Sequence, residues 1–181
     1  MEKALLVIDY TVDFVAVDGA LTCGEPGIAL DNYITKLTTT FLEEGHFVVM
    51  SVDVHDIDDP YHPETKQFPP HNIRGTAGRD LYGTLQHLYE ERKDEIHWMD
   101  KTRFSAFAGT DLELHLRARK ITELHLVGVC TDICILHTAV DAYNRGFNIV
   151  IHEKGVASFD PAGHEWALRH FEKTLGATIV R

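Results

Sequence analysis

Six short apolar runs rich in β-branched residues, at 4–8, 47–54, 96–99, 124–129, 147–151 and 177–180, alternate along the chain with longer amphipathic stretches. Strands separated by helix-length segments pair in parallel, because a parallel connection needs a crossover of helical length. Helical patterning covers 29–44, 78–92, 109–119, 132–145 and 161–175, and Gly45, Gly146 and Gly176 stand where helices stop. The runs at 4–8 and 47–52 are apolar at nearly every position, the pattern of strands covered by helices on both faces. The expected fold is therefore α/β: a three-layer α/β/α sandwich around a doubly wound, mostly parallel six-stranded sheet.

A length of 181 residues suits one domain, and no repeat, linker or low-complexity tract divides 1–181. Seventeen Lys plus Arg against 28 Asp plus Glu give a net charge of -11, the wrong sign for a protein that neutralises nucleic-acid phosphates. The first apolar run ends at Asp9, too early for a signal peptide or a membrane span. Three cysteines cannot form a disulfide framework, so each is read singly and a reducing, cytoplasmic setting is expected. No nucleic-acid or membrane partner is expected, and the sequence leaves a homo-oligomer open.

In an open parallel sheet the ligand site lies beyond the carboxyl ends of the strands, so the residues that terminate the strands carry the chemistry. Here the first run ends at Asp9, the second at Asp53 and His55, the third at Asp100 and Lys101, and the fourth leads into Cys130-Thr-Asp-Ile-Cys134. Cys134 falls in the first turn of the 132–145 helix, with Thr131 or Asp132 available as cap, and a helix N-terminus favours thiolate. Lys101 would strengthen that effect, and Asp9 could take the thiol proton and return it to a leaving group. An isolated cysteine is more often a core residue; an acid and a lysine at the same sheet edge reverse that preference. Asp13, one helical turn beyond Asp9, ranks second as the acid.

Asp53 and His55 alternate on a strand, so both side chains leave one face and can grip one ion. The next segment, 55–77, holds Pro60, Pro63, Pro69 and Pro70, has neither helical nor strand period, and reads as a long functional loop. Its Glu64 and His71 would complete a mixed nitrogen and oxygen ligand set for zinc, manganese or iron, with His62 as a rival for Glu64. His46, His87, His115 and His170 read as surface residues, and Trp98 as core. The spacing of Cys130 and Cys134 does not fit a redox C-x-x-C pair. Residues 130–134 serve better as a turn whose backbone N–H groups meet an oxyanion, which points to acyl transfer. Phe14, Phe68 and Phe104 stand near the strand ends, where they could hold a flat ring.

Taken together, Leu5-Leu-Val-Ile-Asp9 with Asp13-Phe14, Asp18-Gly-Ala-Leu-Thr-Cys-Gly24, Asp53-Val-His55, Phe68-Pro-Pro-His71, Gly75-Thr-Ala-Gly78, Lys101-Thr-Arg-Phe-Ser-Ala-Phe107 and Gly128-Val-Cys-Thr-Asp-Ile-Cys134 resemble the isochorismatase-like cysteine hydrolases. Within that superfamily the chain is most similar to the nicotinamidase/pyrazinamidase branch, over nearly its whole length. The resemblance implies an amidohydrolase that converts nicotinamide to nicotinate and ammonia through a cysteine thioester, acts on pyrazinamide as well, and feeds NAD salvage. It implies a catalytic triad of Asp9, Lys101 and Cys134, and an oxyanion hole made by the backbone N–H groups of Cys130 and Cys134 after a cis bond between Val129 and Cys130. Asp53, His55, Glu64 and His71 would hold one divalent metal ion, zinc first, with Phe14, Phe68 and Phe104 around the pyridine ring. Two positions depart from the branch: Asn72 stands where Cys is common, and Phe104 where Tyr is frequent. The rival readings are another hydrolase of the superfamily, an N-carbamoyl amidase or isochorismatase type, and a catalytically silent metal-binding protein on the same scaffold.

Overall fold

The structure, a computed structural model, describes residues 2–181. Its sheet is built from β1 (Lys3–Ile8), β2 (Phe47–Asp53), β3 (Ile96–Lys101), β4 (Glu123–Val129), β5 (Asn148–Ala157) and β6 (Thr178–Val180). The strands lie in the order β3-β2-β1-β4-β5-β6 and every pairing is parallel. The order reverses between β1 and β4, the switch point at which a doubly wound sheet opens a crevice. The helices are α1 (Val12–Val15), α2 (Glu25–Ile28), α3 (Asp31–Glu43), α4 (Thr84–Arg92), α5 (Leu112–Ala118), α6 (Leu136–Asn144) and α7 (Pro161–Lys173).

Strand alternation splits the core into two layers. Leu6 and Ile8 of β1 join Leu112 and Leu116 of α5, Ala139 of α6 and Phe171 of α7 on one face. Leu5 and Val7 join Ile34 and Phe41 of α3 and Leu85 of α4 on the other. Both faces are thus covered, which is why β1 carries no polar position between Ala4 and Ile8. Among the described residues no helix is long and apolar enough to cross a membrane.

Two elements depart furthest in extent from the sequence reading, for identifiable reasons. The helix expected over 78–92 starts only at Thr84, because Gly83 adopts φ 64° and the Asp31 carboxylate accepts the Thr84 N–H at 3.0 Å from the neighbouring helix. The strand expected over 147–151 runs on to Ala157 through polar His152, Glu153 and Lys154. His152 is buried there because its ring bonds Tyr33 at 2.9 Å and His125 at 2.8 Å. The segment 55–77 is a loop with two 3-10 turns, Pro63–Lys66 and Ala77–Arg79, and it is pinned to the sheet edge by a bridge between His55 and Ile73.

Register fixes the carboxyl edge. Ile8 lies opposite Ser51 and Gly128, and Asp53 lies opposite Lys101, so β2 and β3 end together, two residues beyond β1, and β4 ends one residue beyond it. The close approach of β4 to β1 depends on Gly128, whose φ is 118° and whose Cβ, if present, would stand 1.9 Å from the Ile8 carbonyl oxygen. Gly128→Ala should therefore cost about 3 kcal/mol or more. Thermal unfolding should show Tm lowered by roughly 6–12 °C; an unchanged Tm would contradict this packing.

Candidate active site

Asp9 leaves β1 at φ 55°, a left-handed conformation uncommon for aspartate, held by the Asp9 N–H donating to the Ser51 carbonyl at 3.0 Å. This turn directs the carboxylate across the edge of the sheet. There one oxygen accepts the Asp53 N–H at 2.8 Å and the other lies 2.7 Å from Lys101 Nζ. Lys101, at the end of β3, is fully enclosed, with 0% of its side chain exposed. Its ammonium also donates to the Arg103 carbonyl at 3.1 Å, lies 3.6 Å from Asp53 Oδ1, and reaches Cys134 Sγ at 3.8 Å. Asp9, Lys101 and Cys134, named from three separate strand ends, converge on one buried point.

The peptide bond between Val129 and Cys130 is cis. Beyond it, Thr131–Ile135 forms a π-helical turn that leads into α6, and the Cys130 carbonyl accepts the N–H groups of Ile133 and Ile135 at 3.1 and 3.2 Å. Cys134 sits inside this turn. Neither cap expected from sequence is used: Thr131 Oγ1 pairs with His164 Nδ1 at 2.8 Å, and Asp132 accepts from Ser158 Oγ at 2.6 Å.

The protonation state also differs from the expectation of a thiolate. Burial pushes the Cys134 thiol well above its ordinary range, Lys101 opposes this, and the charges of Asp9 and Asp53 add to the rise. Cys134 therefore rests as a thiol in this enclosed site. Burial lowers the Lys101 ammonium, but Asp9, Cys134 and Asp53 outweigh that and hold it above the usual lysine range. Desolvation raises Asp9, with Lys101 opposing, which suits a carboxylate that accepts and returns a proton.

Beside this group, Asp53, His55, Glu64 and His71 bring their potential ligand atoms within 4.8 Å of one another, and all four residues are buried. His55 Nε2 lies 2.6 Å from Asp53 Oδ2. His71 donates Nδ1–H to the Pro69 carbonyl at 2.8 Å, which turns Nε2 towards Asp53 at 3.6 Å and Glu64 at 3.5 Å. That Nε2 and Asp53 Oδ1 are buried without a hydrogen-bond partner. Burial lowers His71, but Asp53 and Glu64 outweigh it and push it up to about 10, so the cluster calls for positive charge. Two imidazoles and two carboxylates, with His71 Nε2 turned into the cluster and unpartnered, fit a divalent transition metal.

His62, the rival for Glu64, does other work. Its Nδ1 accepts the Glu64 N–H at 3.3 Å as the cap of the Pro63–Lys66 turn, and its Nε2–H donates to the Thr102 carbonyl at 2.7 Å. His62 thereby positions Glu64.

Phe14, Phe68 and Phe104 line one cavity together with Asp53, Glu64, Cys130 and Cys134. Leu21, Ile133 and Phe159 line it as well. Sequence reasoning missed these three because apolar residues outside a motif carry no signal of their own. Arg79, also missed, donates Nε–H to the Asp53 carbonyl at 2.9 Å and Nη2–H to Asp100 at 2.7 Å, locking the ends of β2 and β3. Trp98, read as core, is half-buried on the edge strand β3, with its Nε1–H donated to Asp100 at 2.8 Å.

This fold, a parallel sheet with a buried acid, lysine and cysteine at its switch point, is that of the isochorismatase-like hydrolases. The isochorismatase domain family matches residues 3–181, and the chain belongs to the isochorismatase family. It is 61% identical over 182 residues to a Bacillus subtilis (strain 168) protein described as uncharacterized isochorismatase family protein PncA, covering 99% of this chain and all of the relative. The crystal structure of nicotinamidase/pyrazinamidase PncA from Bacillus subtilis superposes with a TM-score of 0.98 at 61% identity, over 100% of both chains. The pyrazinamidase of Pyrococcus horikoshii in complex with zinc superposes with a TM-score of 0.86 at 26% identity, covering 100% of this chain and 99% of that one.

Asp13, ranked second as the acid, is engaged elsewhere: its Oδ2 accepts the Asn72 N–H at 2.7 Å, and a Cβ at Gly78 would collide with it at 2.1 Å. Asp13 ties the long loop to α1. Asp13→Ala should cost about 1–3 kcal/mol by leaving that N–H unpaired, lowering Tm in a thermal melt; an unaltered melt would show that the loop is held by other contacts.

Proposed function

We propose that the chain, acting as one hydrolase domain over 1–181, is a nicotinamidase: it hydrolyses nicotinamide to nicotinate and ammonia, accepts pyrazinamide, and works in the cytoplasm in NAD salvage. The observation that carries this reading is the shared cavity, in which Cys134 faces three phenylalanines beside a buried cluster of two histidines and two carboxylates. A flat aromatic amide with a ring nitrogen matches that combination. The 61% identity to the Bacillus subtilis protein, whose crystal structure is described as nicotinamidase/pyrazinamidase, supports it.

In this mechanism Asp9 takes the Cys134 thiol proton as Sγ attacks the carboxamide carbon. Backbone N–H groups of Cys130 and Cys134 receive the oxyanion. Lys101 stays protonated and holds Asp9 in place 2.7 Å away. The tetrahedral intermediate collapses as Asp9 passes the proton to departing ammonia, leaving a thioester on Cys134. Asp9 then removes a proton from water, which attacks the acyl carbon; the C–S bond breaks, nicotinate leaves, and Asp9 returns the proton to the Cys134 sulfur. Asp53, His55, Glu64 and His71 would hold one divalent ion, with zinc favoured over manganese or iron. Such an ion supplies a Lewis-acidic docking point for the pyridine nitrogen. Phe14, Phe68 and Phe104 sandwich the ring.

The other hydrolase readings, an N-carbamoyl amidase or an isochorismatase type, have no need of a ring-anchoring cation, and a silent scaffold has no need of a carboxylate–lysine–thiol group.

Two measurements test the reading. Cys134→Ala should lower kcat/KM for ammonia release from nicotinamide by about a thousandfold or more with the melt intact, and Asp9→Asn should lower it as far while also lowering Tm, because Lys101 loses its nearest counter-charge. A loss of less than about tenfold in either would overturn the assigned roles. Chelation should weaken nicotinamide binding in calorimetry far more than it lowers Tm. Added zinc should restore that binding, and benzamide, which lacks the ring nitrogen, should be a poor substrate. Equal turnover of benzamide and nicotinamide would argue for a metal-independent amidase.

A further inference from the structure

The mechanism leaves two buried thiols unused. Cys23, in the loop between α1 and α2, and Cys130, at the end of β4, face each other with their sulfurs 3.2 Å apart, although 107 positions separate them in the chain. Both are free and buried. Cys130 lines the substrate cavity, whereas Cys23 packs behind it in the core layer with Val15 and Leu30. The loop that carries Cys23 is firmly placed, its Cys23 N–H donating to the Phe14 carbonyl at 2.8 Å.

We infer that Cys23 and Cys130 are a redox-modification site: a small hydroperoxide entering the substrate cavity converts them to a disulfide that reversibly slows turnover. This rests on the reading of the cavity as the amidase site. A disulfide needs about 2.0 Å between the sulfurs, so closure takes little more than an ångström of movement. In the first step the Cys130 sulfur attacks a peroxide oxygen. The S–O bond forms as the O–O bond breaks, and the thiol proton leaves with the departing oxygen as water, or as an alcohol from an organic peroxide. In the second step the Cys23 sulfur attacks the sulfenic sulfur. The S–S bond forms as the S–O bond breaks, and the hydroxide leaves as water with the Cys23 proton. The two thiols give up one electron pair and the peroxide is reduced by it.

The hydrogen bond to Cys23 and burial both raise the Cys130 thiol, so its attack on a peroxide is slow and the 3.2 Å approach of Cys23 is what carries the reaction through to the disulfide. Once Cys130 is oxidised, its neighbour is already in place to resolve the sulfenic acid before it oxidises further. The disulfide draws residue 130 towards the 18–24 loop and away from the position in which its N–H meets the oxyanion. It thereby acts on the chemical step without touching Asp9, Lys101 or Cys134. Cys23 lies outside the cavity lining, so Cys23→Ser in the reduced protein should retain the wild-type rate.

Hydrogen peroxide is the probe, and a link-mapping arm is run on Cys134→Ala so that the nucleophile does not compete for it. Peptide mass mapping of that protein should show the Cys23 and Cys130 peptides joined, with loss of two hydrogens. Treated wild type should lose at least fivefold of its nicotinamide turnover and regain it with a thiol reductant, in step with the Cys23–Cys130 link mapped in the same samples, whereas Cys23→Ser, in which only separate sulfenic acids can form, should show a clearly smaller recoverable loss. Absence of the link in Cys134→Ala, a linked wild type at full rate, or an equal recoverable loss in Cys23→Ser would each overturn the inference. If reduced wild type fails to hydrolyse nicotinamide, the functional reading fails while the mapping arm still decides whether the disulfide forms.

Discussion

The ion pair between Lys101 and Asp9 is the interaction on which the rest of the site depends. An ammonium with no exposed surface is tolerated only when its charge is met at close range. Here a carboxylate at 2.7 Å, a second at 3.6 Å and a backbone carbonyl at 3.1 Å meet it. Those partners come from the ends of β1, β2 and the chain just after β3, so the pair can form only if these three strands keep their pairing register. Removing either charge would leave the other buried and unpaired, so the same contact that arranges the chemistry constrains the fold.

The pair also sets the division of labour proposed for the cavity. Asp9 is raised by burial and restrained by Lys101, while burial keeps the Cys134 thiol protonated beside it. The nucleophile is therefore generated when the proton moves to Asp9 as the substrate carbon is attacked, rather than stored as a free thiolate. Asp53 links this centre to the histidine cluster: its N–H is held by Asp9, its Oδ1 faces Lys101, and its Oδ2 meets His55. A change at the histidine cluster would be felt at Asp9, and the reverse, through that one residue.

Much of this was legible in the chain because parallel sheets put chemistry at strand ends, and Asp9, Asp53, Lys101 and Cys134 each stand where an apolar run stops or just beyond. The sheet itself followed from the alternation of apolar runs and helical stretches. What was not legible depended on three-dimensional contacts. The choice of Glu64 over His62 turns on a 3-10 turn that His62 caps. The second half of β5 hides behind His152, whose burial is offset by partners on α3 and β4. The upward push that burial exerts on the Cys134 thiol was not legible, because helix position is visible in a sequence and full enclosure is not. Asp13 looks as acidic as Asp9 in the chain, and only the Asn72 N–H on its carboxylate shows that it braces a loop.

The central claim is that Cys134 carries the acyl group during turnover. The most direct measurement is an acid quench of the protein during steady-state hydrolysis of nicotinamide, followed by mass analysis of its cysteine-containing peptides. The account predicts a nicotinoyl group on the peptide that contains Cys134, absent in the Cys134→Ala protein and absent from Cys23 and Cys130. Continued ammonia release by Cys134→Ala at the wild-type rate, with no acyl group on any cysteine of the wild type, would contradict it.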